Sequence, residues 1–369
     1  MSDEQARASG LCEALERYSG IYQGYEPRRR ACLSELGDEA IHPNHCMNFS
    51  DRQYARREAW NEQSAACQIV PKPFDPEVDL EWSPVWSLTS ETFRYLPTGY
   101  LYYGYKAPPE AFFFPDSNGN AAGNTLEEAV LQGFMELVER DSVCIWWYNR
   151  LRQPGVALDS FGEPYFDRVQ TIYEELSRDL WVLDVTSDLG VPSFAAISRR
   201  VDKPAEDILM GFGAHFDPGV AIGRAISEVN QFLPAVLQMR SDGSGDYGFE
   251  EQQREHWSRT ATIAEHDYLR PSVDASLRRR SDYTDHSTAD LGEDVRACQR
   301  LVESREMEML VLDQTRPDIG LNVVKVIVPG LRHFWARFRP GRLYSVPVAM
   351  GRLRNPISED ALNPVPMFL

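Results

Sequence analysis

The stretch from Asn124 to Trp147, NTLEEAVLQGFMELVERDSVCIWW, constrains this chain more than any other. Thr125 with Glu128 three residues later is the capping-box signature of a helix start. Beyond it, Ala129, Val130, Leu131, Phe134, Met135, Leu137, Val138, Val143, Cys144, Ile145 and Trp146 make the helix apolar on most sides, so it is expected to be buried. Glu128, Gln132, Glu136 and Glu139 nevertheless return to one narrow arc, because their spacings are those of a single helix face. Carboxylates on a buried helix are costly unless a cation or hydrogen-bonding partner compensates them.

At 369 residues the chain suits one large domain or two ordinary ones, and its 43% hydrophobic content is ample for a packed core. A formal charge of -18, from 38 basic and 56 acidic residues, disfavours nucleic-acid binding. It also disfavours an anionic substrate unless metal ions offset the local field. No apolar run is long enough to span a membrane and the first residues are not signal-like. Six cysteines without a CxxC read as reduced, and a cytoplasmic protein is expected. His42, His45 and Cys46 form the only metal-like cluster, but a zinc site needs a fourth ligand and better spacing.

The chain opens into a helix, QARASGLCEALERYSG, with Ser2 as N-cap and Gln5 completing a capping box. Laying Glu13 and Glu16 over Glu136 and Glu139 aligns Arg17 with Arg140, so both helices end in ExxER, and the repeat suggests two similar halves. Each copy is taken to lie amid buried residues. A short helix is expected within GYEPRRRACLSELGDEA and another in DRQYARREAWNEQSA. Strand character follows in VWSLTS, FRYLP and YLYYGY, with Pro97-Thr98-Gly99 as a turn. SNGNAAG then reads as a loop whose glycines let backbone N–H groups approach a phosphate at the next helix start, although it is not a P-loop. Further on, a helix around DRVQTIYEELSRDL precedes strands WVLDVTS and VPSFAAISRR. A helix starting at Asp217 and Pro218 carries Arg224 and Glu228, either an intrahelical ion pair or a phosphate-directed arginine held by its glutamate. Residues 240–290 are polar and read as an insertion or mobile connection. A helix in DVRACQRLVESR and strands MLVLDQT and NVVKVIVPG follow, and the apolar ending of ALNPVPMFL suggests a tail tucked into the fold.

Together these motifs resemble the YcaO family of ATP-dependent enzymes, and within it the azoline-forming cyclodehydratases of thiazole/oxazole-modified peptide biosynthesis. The family's Ser-x3-Glu-x2-Glu-Arg occurs as Ser9, Glu13, Glu16 and Arg17; its Glu-x3-Gln-x3-Glu-x2-Glu-Arg as Glu128, Gln132, Glu136, Glu139 and Arg140; its Arg-x3-Glu as Arg224 and Glu228. The resemblance implies an α+β fold with mixed and antiparallel sheets packed by helices, in two similar halves around a central nucleotide site. It implies ATP and Mg2+ as cofactors, with Glu13, Glu16, Glu136 and Glu139 as the metal shell. Ser9, Glu128, Gln132, Arg224 and Glu228 would form the nucleotide shell, while Arg17 and Arg140 would lock carboxylates or touch phosphate. Some members carry a serine seven residues before the Glu128 position; this chain has Ala121 there, and Ser117 nearby is the substitute. The tail, with Pro364, Pro366 and then Phe368, resembles the family's Pro-x-Pro-x-Pro ending, which would bring Leu369 to the reacting centre beside Glu136 and Glu139. The chain begins almost at the first motif helix, so 1–369 reads as a single catalytic domain lacking the family's usual N-terminal segment.

The implied reaction turns Cys, Ser or Thr of a ribosomally made precursor peptide into a thiazoline or oxazoline by phosphorylation of the amide-derived oxyanion. No leader-binding segment is visible, so an E1-like (ThiF-like) partner that captures the precursor's leader is expected, and a homodimer is allowed for. The alternatives are a YcaO enzyme forming thioamides or amidines, and an inactive scaffold subunit. Retention of every ExxER carboxylate argues against the scaffold, since buried glutamates without a counter-charge are costly.

Overall fold

The computed structural model describes residues 3–106, 112–237 and 252–369; Ser2, the expected first N-cap, lies outside them. Nine strands run through the described residues: β1 (Arg29–Ala31), β2 (Leu80–Ser87), β3 (Thr92–Pro97), β4 (Asn120–Gly123), β5 (Arg178–Asp184), β6 (Ser193–Arg200), β7 (Leu209–Ala214), β8 (Leu310–Asp313) and β9 (Asn322–Ile327). All pair antiparallel, in a six-stranded sheet ordered β1-β2-β8-β9-β4 with β3 on β2, and a three-stranded sheet β5-β6-β7. Helices pack on both, as an α+β chain requires. The chain divides into two compact units, residues 1–137 with 288–342, and residues 138–287 with 343–369.

The first unit is built on the larger sheet, its core centred on Trp82, Leu96, Val70 and Leu310. The short helix expected in GYEPRRRACLSELGDEA is Leu33–Leu36, but the basic run Arg29–Arg30 ahead of it is strand β1, in register with Trp82 and Glu81 of β2. YLYYGY also departs from expectation. Thr98–Leu101 closes a helical turn, and Tyr100, Leu101 and Tyr102 are all buried, so the in–out alternation a strand face needs is absent. SNGNAAG is not an open loop either, because Asn120–Gly123 is strand β4 on β9. Gly119 has φ +80°, and a Cβ there would lie 2.1 Å from the Val326 carbonyl oxygen. Its glycine character serves close backbone packing rather than ligand approach.

The first helix (Asp3–Ser19) lies against β4. It is not buried as its partner motif is: Leu11 is 62% exposed and only Cys12, Leu15, Glu16 and Ser19 turn away from solvent. The central helix (Leu126–Asn149) starts in the first unit and continues into the second. Thr125 Oγ1 accepts the Glu128 N–H at 3.2 Å, as the capping signature requires. From Ala129 to Asn149 the side chains that are not buried are Gln132, Glu136, Glu139 and Arg140, so the expected arc is the helix's one partly open face.

In the second unit the helices Pro164–Glu175 and Pro218–Leu237 pack on β5 and on β6–β7. Asp217 caps the latter, its Oδ1 accepting the Gly219 N–H at 2.8 Å. Of the polar stretch 240–290, residues 240–251 lie outside those described. From Gln252 on it is folded: helix Gln252–Thr260 and a turn at Asp267–Leu269 bury Trp257, Tyr268 and Leu269. The tail is held in this unit. Trp147 Nε1 donates to the Val365 oxygen at 2.7 Å, the Met367 N–H to the Tyr148 hydroxyl at 3.2 Å, and Arg254 Nε to the Phe368 oxygen at 2.8 Å. Met367 and Phe368 are buried and Leu369 is half-buried.

Candidate active site

In the first unit, Glu16 is the centre of the acidic cluster. Burial and the repulsion of Glu136, helped by Glu13, push its carboxyl up to about 8 against the pull of Arg17 and Lys325. Arg17 is turned back along its own helix, with Nη2 2.9 Å from Glu13 Oε1, and both side chains are exposed (60% and 61%). Ser9, also exposed, accepts from Gln5 Nε2 at 3.5 Å. Ser117 joins this neighbourhood through Tyr103, whose hydroxyl hydrogen-bonds Ser117 and feels Asp116, Arg17 and Glu16. Burial, with Asp116, holds that phenol well above its ordinary range. Glu128 is engaged as a cap, accepting from the Asn124 N–H at 2.8 Å and from Asn124 Nδ2 at 2.9 Å. Gln132, one turn on, is half-buried.

Lys325 on β9 was not singled out by sequence and organises this part of the unit. Its ammonium is 1% exposed and donates to the Asp116 oxygen (2.7 Å), Asp116 Oδ1 (3.3 Å), the Asn118 oxygen (3.0 Å) and Asn120 Oδ1 (3.1 Å). It fastens the segment that carries Ser117 and brings a positive charge toward Glu16. The available signal was a lone lysine inside the apolar strand NVVKVIV.

In the second unit, Glu139 pairs with Arg140. Burial raises its carboxyl to about 7; Arg140 and Arg224 pull it down and Glu228 pushes it up. Arg224 donates to the Ala214 oxygen at 3.4 Å, and its own pKa is lowered by burial, opposed by Glu139. Glu228 Oε2 accepts the Phe212 N–H of β7. Arg224 and Glu228 thus both reach back to β7, an arrangement neither the ion-pair nor the phosphate reading contained. Gly213 makes the close approach possible, since a Cβ there would lie 2.2 Å from the Ala221 oxygen.

The donor chemistry suits a hard cation together with a polyphosphate. Carboxylates whose proton affinity is raised by burial and by like-charged neighbours are relieved by a divalent ion, and Mg2+ is commonly held by one or two carboxylates plus phosphate and water oxygens. Among the described residues no three Asp, Glu, His or Cys side chains converge closely enough to hold an ion unaided. That includes His42 and His45, whose ring centroids are 5.8 Å apart while His42 Nδ1 accepts the Asn44 N–H. The phosphate oxygens are therefore part of the fit. No described helix is long and apolar enough to cross a membrane.

Residues 1–332 match the YcaO family profile, described as an ATP- and Mg2+-binding cyclodehydratase. The chain belongs to the YcaO family. A heterocyclase solved in complex with substrate and cofactor is similar at 54% identity and a TM-score of 0.94, over 99% of this chain and 48% of that one. The heterocyclase TruD is similar at 53% identity and a TM-score of 0.90, over 99% of this chain and 51% of its own. YcaO from Methanopyrus kandleri, bound with AMPPCP and Mg2+, shares the fold at 20% identity and a TM-score of 0.63, over 90% of this chain and 77% of that one. The chain thus spans about half the length of the two heterocyclases.

Proposed function

We propose that this chain performs the ATP- and Mg2+-dependent step of peptide cyclodehydration. The observation that carries the reading is that the motif carboxylates Glu16 and Glu139 are raised to about 8 and about 7. Burial, with the repulsion of Glu136 on Glu16 and of Glu228 on Glu139, makes their charged forms a standing cost that a bound cation with nucleotide removes. The family description, and relatives more than half identical that are heterocyclases, support it.

In the reaction a Cys thiol or Ser/Thr hydroxyl of the peptide adds to the preceding carbonyl carbon and loses its proton. ATP held with Mg2+ would supply the phosphoryl group to the resulting oxyanion, releasing ADP; departure of that phosphate together with the amide N–H proton would leave the C=N bond of the azoline ring. Glu13, Glu16, Glu136 and Glu139 are the proposed metal shell. Ser9, Ser117, Glu128, Gln132, Arg224 and Glu228 are the proposed nucleotide contacts. Arg17 and Arg140 orient Glu13 and Glu139, with which they pair. The tail ending at Leu369 orders the peptide at the reacting centre. A ThiF-like partner capturing the precursor's leader belongs to the same reading, as does a homodimer. Calorimetric titration with a non-hydrolysable ATP analogue and Mg2+ tests it. Saturable, Mg2+-dependent binding that is lost in Glu136→Gln is expected; Mg2+-independent binding, or none to the wild type, overturns it.

A further inference from the structure

A cleft of about 450 Å3 opens in the second unit, away from the acidic motifs along the sequence. Its floor is aromatic: Trp257 lies between His266 (centroids 4.7 Å apart) and Phe368 (5.2 Å), and Trp257 and Phe368 are both buried. The tail residues Pro364 and Pro366 form one wall. Gln253 lines the cleft, and its Oε1 is buried with no hydrogen-bond partner. The rim is solvent-exposed and polar, with Thr260 and Glu265. Burial lowers the His266 pKa, which favours the neutral ring in this wall of the cleft.

A packing void would be closed and apolar throughout; this cleft pairs an apolar floor with a buried acceptor awaiting a donor, the composition of a small-ligand site. We propose that it binds an aromatic side chain of an extended peptide, with the Gln253 side-chain amide turning to bond that peptide's backbone. Aromatic walls favour a ring edge or face, and Glu265 at the rim disfavours an acidic side chain. The inference rests on the cyclodehydratase reading only for which peptide is bound: the substrate segment flanking the residue that cyclises. On this view the tail shapes a specificity pocket.

Fluorine NMR of acetyl-Gly-(para-fluoro-Phe)-Gly-amide, titrated into the full chain without nucleotide, tests it, with acetyl-Gly-Phe-Gly-amide and acetyl-Gly-Gly-Gly-amide as competitors. The Phe peptide should displace the probe about tenfold better than the Gly peptide, the order expected for burying one aromatic side chain. Thr260→Trp, an exposed rim position where the indole fills the cleft, should abolish probe binding; Gln253→Leu should weaken it and keep the Phe preference. Equal displacement by both peptides, or undiminished binding in Thr260→Trp, overturns the proposal. ATP-analogue binding is measured separately on the same proteins. Its loss with peptide binding retained defeats the enzyme reading alone, and the converse defeats the pocket alone.

Discussion

Replacing Lys325 by Met tests whether one buried charge organises the candidate site. Four acceptor atoms surround the ammonium within 3.3 Å, from Asp116, Asn118 and Asn120. Methionine fills most of the same volume, so the loss is electrostatic: the Asp116 carboxylate, 20% exposed, keeps its charge without its cation. Breaking a buried pair from one side costs about 3–5 kcal/mol. At roughly 2–4 °C per kcal/mol, a lowering of Tm by about 6–20 °C is expected. Thermal unfolding by circular dichroism reads it, and amide exchange should show lost protection around Ser117 and Asn120. Removing Lys325 also removes a positive charge that holds the Glu16 pKa down, so Mg2+–nucleotide affinity at neutral pH should fall with it. A stability loss below about 1 kcal/mol would mean that water replaces the ammonium, and the organising role would be refuted.

Glu136→Gln relieves repulsion at Glu16 and is expected to keep or raise apo stability while abolishing Mg2+-dependent ATP hydrolysis; wild-type turnover would remove Glu136 from the metal shell. Glu16 and Glu139, raised to about 8 and about 7 from 4.5, favour the folded chain fully below pH 4.5 and lose that contribution as pH climbs toward 8. Apo stability from these groups should therefore decline between pH 5 and 8, while Mg2+–nucleotide binding, which displaces their protons, should strengthen across that window. Calorimetry in buffers of different ionisation enthalpy should detect proton release that shrinks in Glu16→Gln. Arg140→Ala, which strips a half-buried partner from Glu139, should impair nucleotide binding more than Arg17→Ala, whose salt bridge is exposed and worth about 1 kcal/mol or less. Deleting Met367–Leu369 removes the buried Met367 and Phe368 side chains and should destabilise the second unit by about 5–10 kcal/mol. If the tail also orders the peptide, cyclisation should slow even at temperatures where the shortened chain stays folded.

Where local chemistry and tertiary packing agree, the fold is legible from sequence. Thr125 and Asp217 cap their helices as their types suggest, and the 3.6-residue period places Gln132, Glu136 and Glu139 on the one face that is not buried. Legibility fails where non-local pairing decides. Arg29–Ala31 looks like a helix start, but its partner, Leu80–Trp82, lies some fifty residues away, and β pairing at that distance leaves no trace in a local window. The same holds for Asn120–Gly123, whose small residues suggest a loop until β9 is brought beside them.

The site divides along the same line. The two ExxER motifs are alike in sequence, yet their arginines do different things: Arg17 bonds back to Glu13 one turn earlier in solvent, whereas Arg140 neutralises the adjacent Glu139 under cover. A motif specifies which groups are present, and burial specifies which of them carry a perturbed charge. That is why burial gives Glu16 and Glu139 their raised proton affinities. Lys325 adds the complementary lesson. A cation inside an apolar strand is intolerable unless acceptors meet it, so its presence in NVVKVIV already required a polar cluster opposite β9. The residues that answer it, Asp116 to Asn120, lie just ahead of the central helix, whose acidic face begins at Glu128. Charge balance thus links the segment carrying Ser117 to the acidic helix through a strand two hundred residues downstream, a link no spacing rule could supply.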